Sequence, residues 1–405
     1  MDIDTLKSLR TDLNDYLAEF DDCFRSDQSR GHLSVYVRGQ LGPLRRKSVE
    51  PIALDAGVAP RTLQEFLSLH VWDESAMRRR VREIVARDHP DEDAIGIIDA
   101  TDFAKKGDRT VGVKRQYCGS SGKIDNCVST VQLAYATPSF RTLIDSELFL
   151  PEDWSDDRGR CSAAGIPDHV RYRPKWRIAL NLIGRSLADG VHLRWITADE
   201  DYGRVSDFRD ALDVMELLYV VEIPRDVLGW TPHRVKANKK PARVDELWER
   251  GGPPWETYRI KDTTQGPMVW HVRSTPFLPR LVRTGDGMVR LIVIEDVLTG
   301  EIKYFLSNAP DDVPLPTLLT VAATRWQVER CFQDSKQEIG LGHFEVRKHL
   351  PVTRHLAISL VSLLFLARAV ERLRGGKPRT GLVTRAGSYL RRGSTRHHAH
   401  ANDPR

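Results

Sequence analysis

Residues 94–99 read AIGIID, a short continuous apolar run that ends in an acid. A run of this length is typical of a strand buried on both faces. Four further strand patterns follow it, at 127–137, 141–150, 192–198 and 217–223. Helical patterns at 174–190 and 206–215 separate the last three strands. The order of three strands, helix, strand, helix, strand predicts an α/β core.

The segments on either side of this core have other patterns. Residues 1–90 show helical periodicity, residues 224–307 alternate in the manner of strands, and helical periodicity returns over 315–339. The predicted domains are an N-terminal helical domain (1–90), an α/β core (91–223 and 311–372), a β-rich insertion (224–310) and a basic, disordered tail (373–405).

Composition limits the class of protein. The 405 residues carry a formal net charge of +5, with a pI near 8.9, which is compatible with a polyanionic partner. The five cysteines include no C-x-x-C pair, so we expect neither a disulfide framework nor a structural zinc site. There is no leader pattern, and the longest apolar stretch, 356–369, is typical of a buried helix. We therefore expect a cytoplasmic protein without a membrane span.

Two helical patterns in the N-terminal region are separated by a tight turn. The first covers 47–56, Gly57 provides a stop, and Pro60 suits the first turn of the second helix. With Arg61 and Gln64 on the second helix, this is the outline of a helix-turn-helix. A small helical bundle without groove recognition is equally compatible with the pattern.

Two acids, Asp99 and Asp199, are predicted at the C-terminal ends of core strands. Ligands of open α/β sheets collect at this edge. Either acid taken alone is more often a helix or turn cap. Glu200 and Asp201 crowd beside Asp199, and carboxylates in such a cluster repel one another unless a cation is present.

A third acid, Glu329, lies on a predicted helix. Helical geometry places Arg325, Glu329 and Lys336 within roughly 40° of one another around the axis. An apolar stripe runs beside them and consists of Val321, Val328, Phe332 and Ile339. This predicts that Glu329 lies at the rim of the core. The alternative is an exposed Arg–Glu pair at i,i+4, worth about 0.3–0.5 kcal/mol.

The motifs resemble those of the DDE transposases of bacterial insertion sequences. The similar segments are 97–107, 111–119 and 198–203, and the spacing Arg325-x3-Glu329-x6-Lys336 is similar to that group's YREK signature. The resemblance extends over about residues 40–370, and several motifs occur in the same order as in that family.

The resemblance implies a ribonuclease-H-like mixed five-stranded sheet with flanking helices and a β-rich insertion before the glutamate-bearing helix. It implies that Asp99, Asp199 and Glu329 are the catalytic and metal-binding residues. It also implies Mg²⁺ or Mn²⁺ as the cofactor, with two ions. Arg325 and Lys336 would contact phosphates.

The implied partners are double-stranded DNA, at terminal inverted repeats and at the target, and a second copy of the chain. The enzyme would act in the bacterial cytoplasm at the nucleoid. Two basic pairs, Lys105-Lys106 and Lys114-Arg115, are expected to line the DNA path. A charged hairpin in solvent is an equally compatible interpretation of these pairs.

Three positions depart from the family pattern. The signature tyrosine would fall at Ala322, Ala100 replaces a common second acid, and Asp102 replaces a usual glycine. The departures leave two alternatives to a transposase. One is a ribonuclease-H-like nuclease without strand transfer, and the other is a domesticated or decayed protein that only binds DNA.

Overall fold

The N-terminal part of the chain is helical. The structure is a computed structural model that describes residues 3–248, 252–263, 266–280, 287–375 and 383–385. Five helices come first: α1 (Ile3–Ala18), α2 (Asp27–Leu41), α3 (Val49–Asp55), α4 (Pro60–Ser68) and α5 (Glu74–Asp88). Pro60 occupies the first turn of α4, as predicted. The side chains of Ser26 and Asp73 cap α2 and α5 by accepting hydrogen bonds from backbone N–H groups of the first turn.

The elements of the core follow in the predicted order. The strands of the core are β1 (Ile95–Ala104), β2 (Lys114–Cys118), β3 (Lys123–Ala136), β4 (Arg141–Leu148), β5 (Trp195–Ala198) and β6 (Leu218–Ile223). Its helices are α6 (Glu152–Asp156), α7 (Arg158–Ala163), α8 (Lys175–Ala188), α9 (Glu200–Gly203) and α10 (Ser206–Val214). Strands occur at each of the five predicted places, and β2 is a further strand that sequence patterns did not reveal.

The core strands are arranged in the spatial order β4-β3-β1-β5-β6. β1 is antiparallel to β3 and parallel to β5, and β5 is parallel to β6. Every residue of β5 is buried, so both faces of the sheet are covered at its centre. The mixed sheet with flanking helices is confirmed.

β1 does not end at Asp99, which corrects one prediction. Its parallel pairing with β5 stops at Ile98↔Ala198, but its antiparallel pairing with β3 continues to Ala104↔Cys127. The long strand β3 supplies partners beyond the point where β5 has ended. Asp99 therefore lies inside a strand, at the position where β1 loses one of its two neighbours.

The region between β6 and the next long helix is rich in strands, as predicted. It contains β7 (Leu228–Trp230), α11 (Pro232–Lys236), β8 (Ala242–Arg243), β9 (Glu256–Thr263), β10 (Gly266–Pro279), β11 (Val289–Asp296) and β12 (Ile302–Ser307). β12 pairs with β6, from Tyr304↔Ile223 to Ser307↔Val220. The strands of this region therefore continue the core sheet instead of forming a separate one.

Two long helices complete the described part of the chain. α12 (Leu315–Asp334) continues into a single π-helical turn, Ser335–Ile339, and α13 covers His349–Arg374. α12 packs across β1, β5 and β6. A π turn inside a helix is frequent at functional sites, and this one contains Lys336.

α13 binds the N-terminal helices together. The Tyr16 hydroxyl donates to the carbonyl of Val361 at 2.8 Å, and the Tyr36 hydroxyl lies 2.8 Å from Nδ1 of His355. Arg354 donates to backbone carbonyls of the loop after α4, including that of Trp72 at 2.9 Å. α13 is long and apolar enough to cross a membrane, but most of it is buried inside the protein. This agrees with the predicted buried helix.

The predicted basic tail falls largely on residues 376–382 and 386–405, which lie outside the described residues. The described part differs from a disordered tail at two points. Residues 373 and 374 continue α13, and a short strand β13 (Thr384–Arg385) pairs with β9.

Candidate active site

Asp99 and Asp199 are brought side by side by the register of two strands. Ile98 pairs with Ala198 in the parallel β1–β5 ladder, so the next residue on each strand is an aspartate. Neighbouring strands lie about 4.8 Å apart. The two carboxyl groups therefore share one edge of the sheet, at the end of the parallel pairing.

The Asp99 side chain is partly buried and lies close to other charges. Its Oδ1 accepts a hydrogen bond from the Ala100 backbone N–H at 2.6 Å. The pKa of Asp99 is raised from 3.8 to about 7, first because the carboxyl is buried and second because Asp199 repels its charge; Arg325 opposes the increase. Ionising both aspartates together therefore costs free energy that a nearby cation would recover.

Asp199 caps α9 and is also a member of this pair. Its Oδ1 accepts from the Asp201 backbone N–H at 3.0 Å. Its pKa is raised to about 6 by burial and then by the charge of Asp201, and Arg325 again opposes the increase. The capping interpretation and the acid-pair interpretation are thus both correct for this residue.

Glu329 is exposed, which corrects the prediction that it lies at the rim of the core. Glu329 lies on α12, which packs across the core strands and also contacts β9. Its charge raises the pKa of Asp99 and opposes the effect of burial on the pKa of Lys261 in β9. Three members of the predicted apolar stripe, Val321, Phe332 and Ile339, are buried. The side chain of the fourth, Val328, lies outside the described part.

Arg325 is held at the edge of the acid pair. Its Nη2 lies 3.1 Å from Oε2 of Glu222 on β6, and both side chains are 13% exposed. Oε1 of the same glutamate lies 3.2 Å from Nζ of Lys303 on β12. Arg325 also lines the same cleft as Asp199.

Lys336 lies on the other side, beside Asp102. Burial lowers the pKa of Lys336, and the charges of Asp102, Cys118 and Asp99 oppose this effect. Oδ2 of Asp102 accepts from the Gly119 backbone N–H at 3.2 Å, while its Oδ1 is buried without a hydrogen-bond partner. Asp102 therefore faces the β2–β3 hairpin and Lys336.

The basic residues expected along the DNA path are placed differently from one another. Lys106 and Arg115 are exposed, and Lys114 lies 3.3 Å from Asp153. Lys105 is bound inside the protein, because its Nζ donates to the carbonyls of Gly342 and Phe344 at 3.1 and 2.7 Å. Burial lowers the pKa of Lys105 to about 7. This position differs from the expected contact of Lys105 with DNA.

A cleft of about 1040 Å³ opens beside Asp199 and Arg325. It lies between the C-terminal end of β6 and the strands that follow it. The acids of its wall are Asp199, Glu200, Glu222, Asp226, Asp245 and Glu301, and its bases are Arg225, Arg243, Lys303 and Arg325. A polyanion that entered this cleft would meet charges of both signs.

Comparisons with known proteins identify the family. A family model described as DDE superfamily endonuclease matches residues 19–270. The chain is 32% identical over 337 residues to the "Probable transposase for insertion sequence element IS701" of Microchaete diplosiphon, which covers 81% of this chain and 79% of that protein. The chain belongs to the DDE superfamily endonucleases. The resemblance to insertion-sequence transposases is confirmed, and with it the class of enzyme.

One solved structure, the NurA nuclease from Sulfolobus solfataricus, is also similar. The similarity covers 60% of this chain and 83% of that one, with 11% sequence identity and a TM-score of 0.22. At that TM-score the likeness carries no argument about this DDE endonuclease.

DDE superfamily endonucleases act on DNA and depend on divalent metal. The residues of this chain fit such an ion in their chemistry, because Asp99 and Asp199 offer hard oxygen donors whose repulsion a cation would relieve. Within the described residues, no three His, Cys, Asp or Glu side chains lie close enough together to hold a metal. The structure therefore brings together two of the three predicted metal-binding acids, Asp99 and Asp199, at the end of the β1–β5 pairing.

Sequence patterns missed three charged residues of this DDE endonuclease site: Glu222, Lys261 and Lys303. Glu222 is the most visible in retrospect, because it is an acid within the otherwise apolar run 217–223. Acids are rarely buried without a partner, so this position was a signal for an ion pair. Lys261 and Lys303 carried no comparable signal, since lysines are common on strands that face solvent.

Proposed function

We propose that the chain cleaves DNA at the terminal inverted repeats of an insertion sequence and joins the freed strand to target DNA. Asp99, Asp199 and Glu329 are the proposed catalytic residues. The observation that carries this proposal is the pairing of Asp99 with Asp199 at the end of the β1–β5 ladder, with the pKa of both raised.

The proposed core is ribonuclease-H-like. Its support is the strand order β4-β3-β1-β5-β6, with β1 antiparallel to β3 and parallel to β5. The paired aspartates then lie on β1 and directly after β5, the first and fourth of these five strands in chain order. The glutamate comes from α12, after the strands β7 to β12.

Mg²⁺ or Mn²⁺, with two ions, is the proposed cofactor, held by Asp99, Asp199 and Glu329. When bound, divalent ions activate a water or a DNA 3′-hydroxyl and stabilise the leaving oxygen. The charge of Glu329 acts on Asp99, which supports its place in this set of three acids.

Cationic side chains of the chain hold the DNA in this proposal. Arg325 and Lys336 bind phosphates on either side of the aspartate pair, and Lys106 and Arg115 contact the backbone further along. The proposed partners are the inverted repeats, the target duplex and a second copy of the chain, in the bacterial cytoplasm at the nucleoid. No membrane is involved.

The decisive test is a cleavage assay with Mg²⁺ on DNA that carries the element's ends. We expect wild type to nick and join strands, and Asp199→Ala to lose cleavage by a factor of at least about 10³ while its DNA affinity in a gel shift stays within about threefold. Wild-type-like cleavage by Asp199→Ala would refute the site. Cutting without joining would identify a nuclease, and a gel shift without products a DNA-binding protein.

A further inference from the structure

We propose that Glu222 is a positioning residue that keeps Arg325 away from the Asp99–Asp199 pair, so that the aspartate oxygens stay available to a divalent cation. This inference rests on the proposed metal site. It assigns a function to an ion-pair cluster that consists of Glu222, Arg325 and Lys303.

The cluster uses both oxygens of one carboxylate. Oε2 of Glu222 lies 3.1 Å from Nη2 of Arg325, and Oε1 lies 3.2 Å from Nζ of Lys303. The side chains of Glu222, Arg325 and Lys303 are 13%, 13% and 22% exposed. Because solvent is largely excluded, these charge-assisted contacts are stronger than surface ion pairs.

Arg325 has a second set of acids within reach. Arg325 and Asp199 line the same cleft, together with Glu222. Asp199 in turn follows the residue that pairs with Ile98, so that Asp99 lies beside it. A guanidinium binds a carboxylate through two parallel N–H donors and would then occupy both oxygens. Arg325 and a divalent cation thus compete for the same oxygens, and Glu222 decides the competition by holding Arg325.

The backbone holds Glu222 in place. β6 lies between β5 and β12, and Glu222 pairs directly with Phe305 of β12. On another side, Gly203 of α9 approaches so closely that a Cβ at this position would lie 1.9 Å from the Glu222 carbonyl oxygen. The Glu222 side chain therefore starts from a fixed backbone position, and Arg325 has the longer side chain of the pair.

The test measures the affinity of the full-length chain for Mn²⁺ alone, by electron paramagnetic resonance titration without DNA. We expect Glu222→Gln to weaken Mn²⁺ binding by about tenfold, because Arg325 moves onto the aspartates. In an Arg325→Met background there is no arginine to move, so adding Glu222→Gln should change the affinity by less than about twofold. Equal losses in both backgrounds would overturn the proposal, since they would show a long-range charge effect only.

Two controls separate the other causes. Glu301→Gln removes an acid from the wall of the same cleft without touching Arg325, and it should leave the Mn²⁺ affinity unchanged. A loss there equal to that of Glu222→Gln would also contradict the proposal.

If wild type and Asp199→Asn bind Mn²⁺ equally, the proposed metal site itself fails. If wild type binds Mn²⁺ more tightly than Asp199→Asn, but Glu222→Gln has the same effect with and without Arg325, only this inference fails.

Discussion

Asp99 and Asp102 are three residues apart on β1, and their surroundings differ. Asp99 lies beside Asp199 and within reach of Arg325. Asp102 accepts from Gly119 and is the acid with the largest effect on Lys336. Each acid therefore has a different cation to balance, and only Asp99 has a second carboxylate next to it.

This difference predicts opposite results for two matched substitutions. Asp99→Asn should reduce Mn²⁺ affinity by at least about tenfold, because it removes a proposed ligand oxygen. Asp102→Asn should leave Mn²⁺ affinity within about twofold and instead strengthen DNA binding, because it removes a negative charge that acts on Lys336, a proposed phosphate contact. Mn²⁺ titration and a gel shift on the same samples measure both. A larger loss of Mn²⁺ affinity in Asp102→Asn than in Asp99→Asn would show that Asp102, and not Asp99, is the metal ligand.

Sequence reasoning found the aspartates but not what surrounds them. Asp99 and Asp199 were visible because each follows an apolar run, and this property depends only on neighbours in the chain. The partner of Arg325 was not visible, because Glu222 lies more than a hundred residues earlier and meets it only through sheet order. The exposure of Glu329 likewise depends on where β9 runs.

At the scale of elements, α2 and α13 are joined through a buried histidine. His355 Nε2 lies 3.1 Å from the carbonyl of Leu341, and Nδ1 lies 2.8 Å from the Tyr36 hydroxyl. The neutral ring satisfies both contacts if Nε2–H donates and Nδ1 accepts. Burial lowers the pKa of His355 from 6.5 to about 4.

The lowered pKa predicts acid destabilisation. Below pH 6.5 the His355 side chain is protonated in the unfolded chain, but in the folded chain it stays neutral down to about pH 4. The free energy of unfolding therefore falls between pH 6.5 and pH 4. The full effect of one such group is about 3 kcal/mol. Urea unfolding should therefore show wild type losing about 3 kcal/mol more than His355→Gln between pH 7 and pH 4. Equal losses in the two proteins would contradict the prediction.

Most elements could be predicted because their patterns are local. The start of α4 at Pro60 is one example, since proline suits a first helical turn. The missed elements depend on distant partners. The extension of β1 beyond Asp99 exists because β3 pairs with it, and β2 forms on the far end of β3 among glycines and lysines that resemble a turn.

At the scale of the whole molecule, the N-terminal helices share their core with α13. Their contacts to α13 include the Tyr16 and Tyr36 hydroxyls and the Gln40 amide, which donates to Ser359 at 2.9 Å. Ser359 and Ser362 thus give a buried glutamine its partners. The helical region 1–90 is complete only when α13 is present.

A fragment of residues 1–90 should therefore fail to fold cooperatively. Without α13, the apolar faces of α2 and α4 are exposed and the Gln40 side chain loses its two serine partners. Thermal unfolding followed by circular dichroism should show a broad, non-cooperative loss of helix, in contrast to a sharp transition in the full chain. A sharp transition of the fragment would show that this region is an autonomous domain.

The same contacts set a delay during synthesis. Tyr16 and its acceptor Val361 are separated by 345 residues. Translation proceeds at roughly 5–20 residues per second, so the ribosome needs roughly 15–60 s to reach the end of α13 after α5 has been made. During this interval the apolar faces of the first helices lack their native cover. The first part of the chain to be translated is thus among the last to reach its final form.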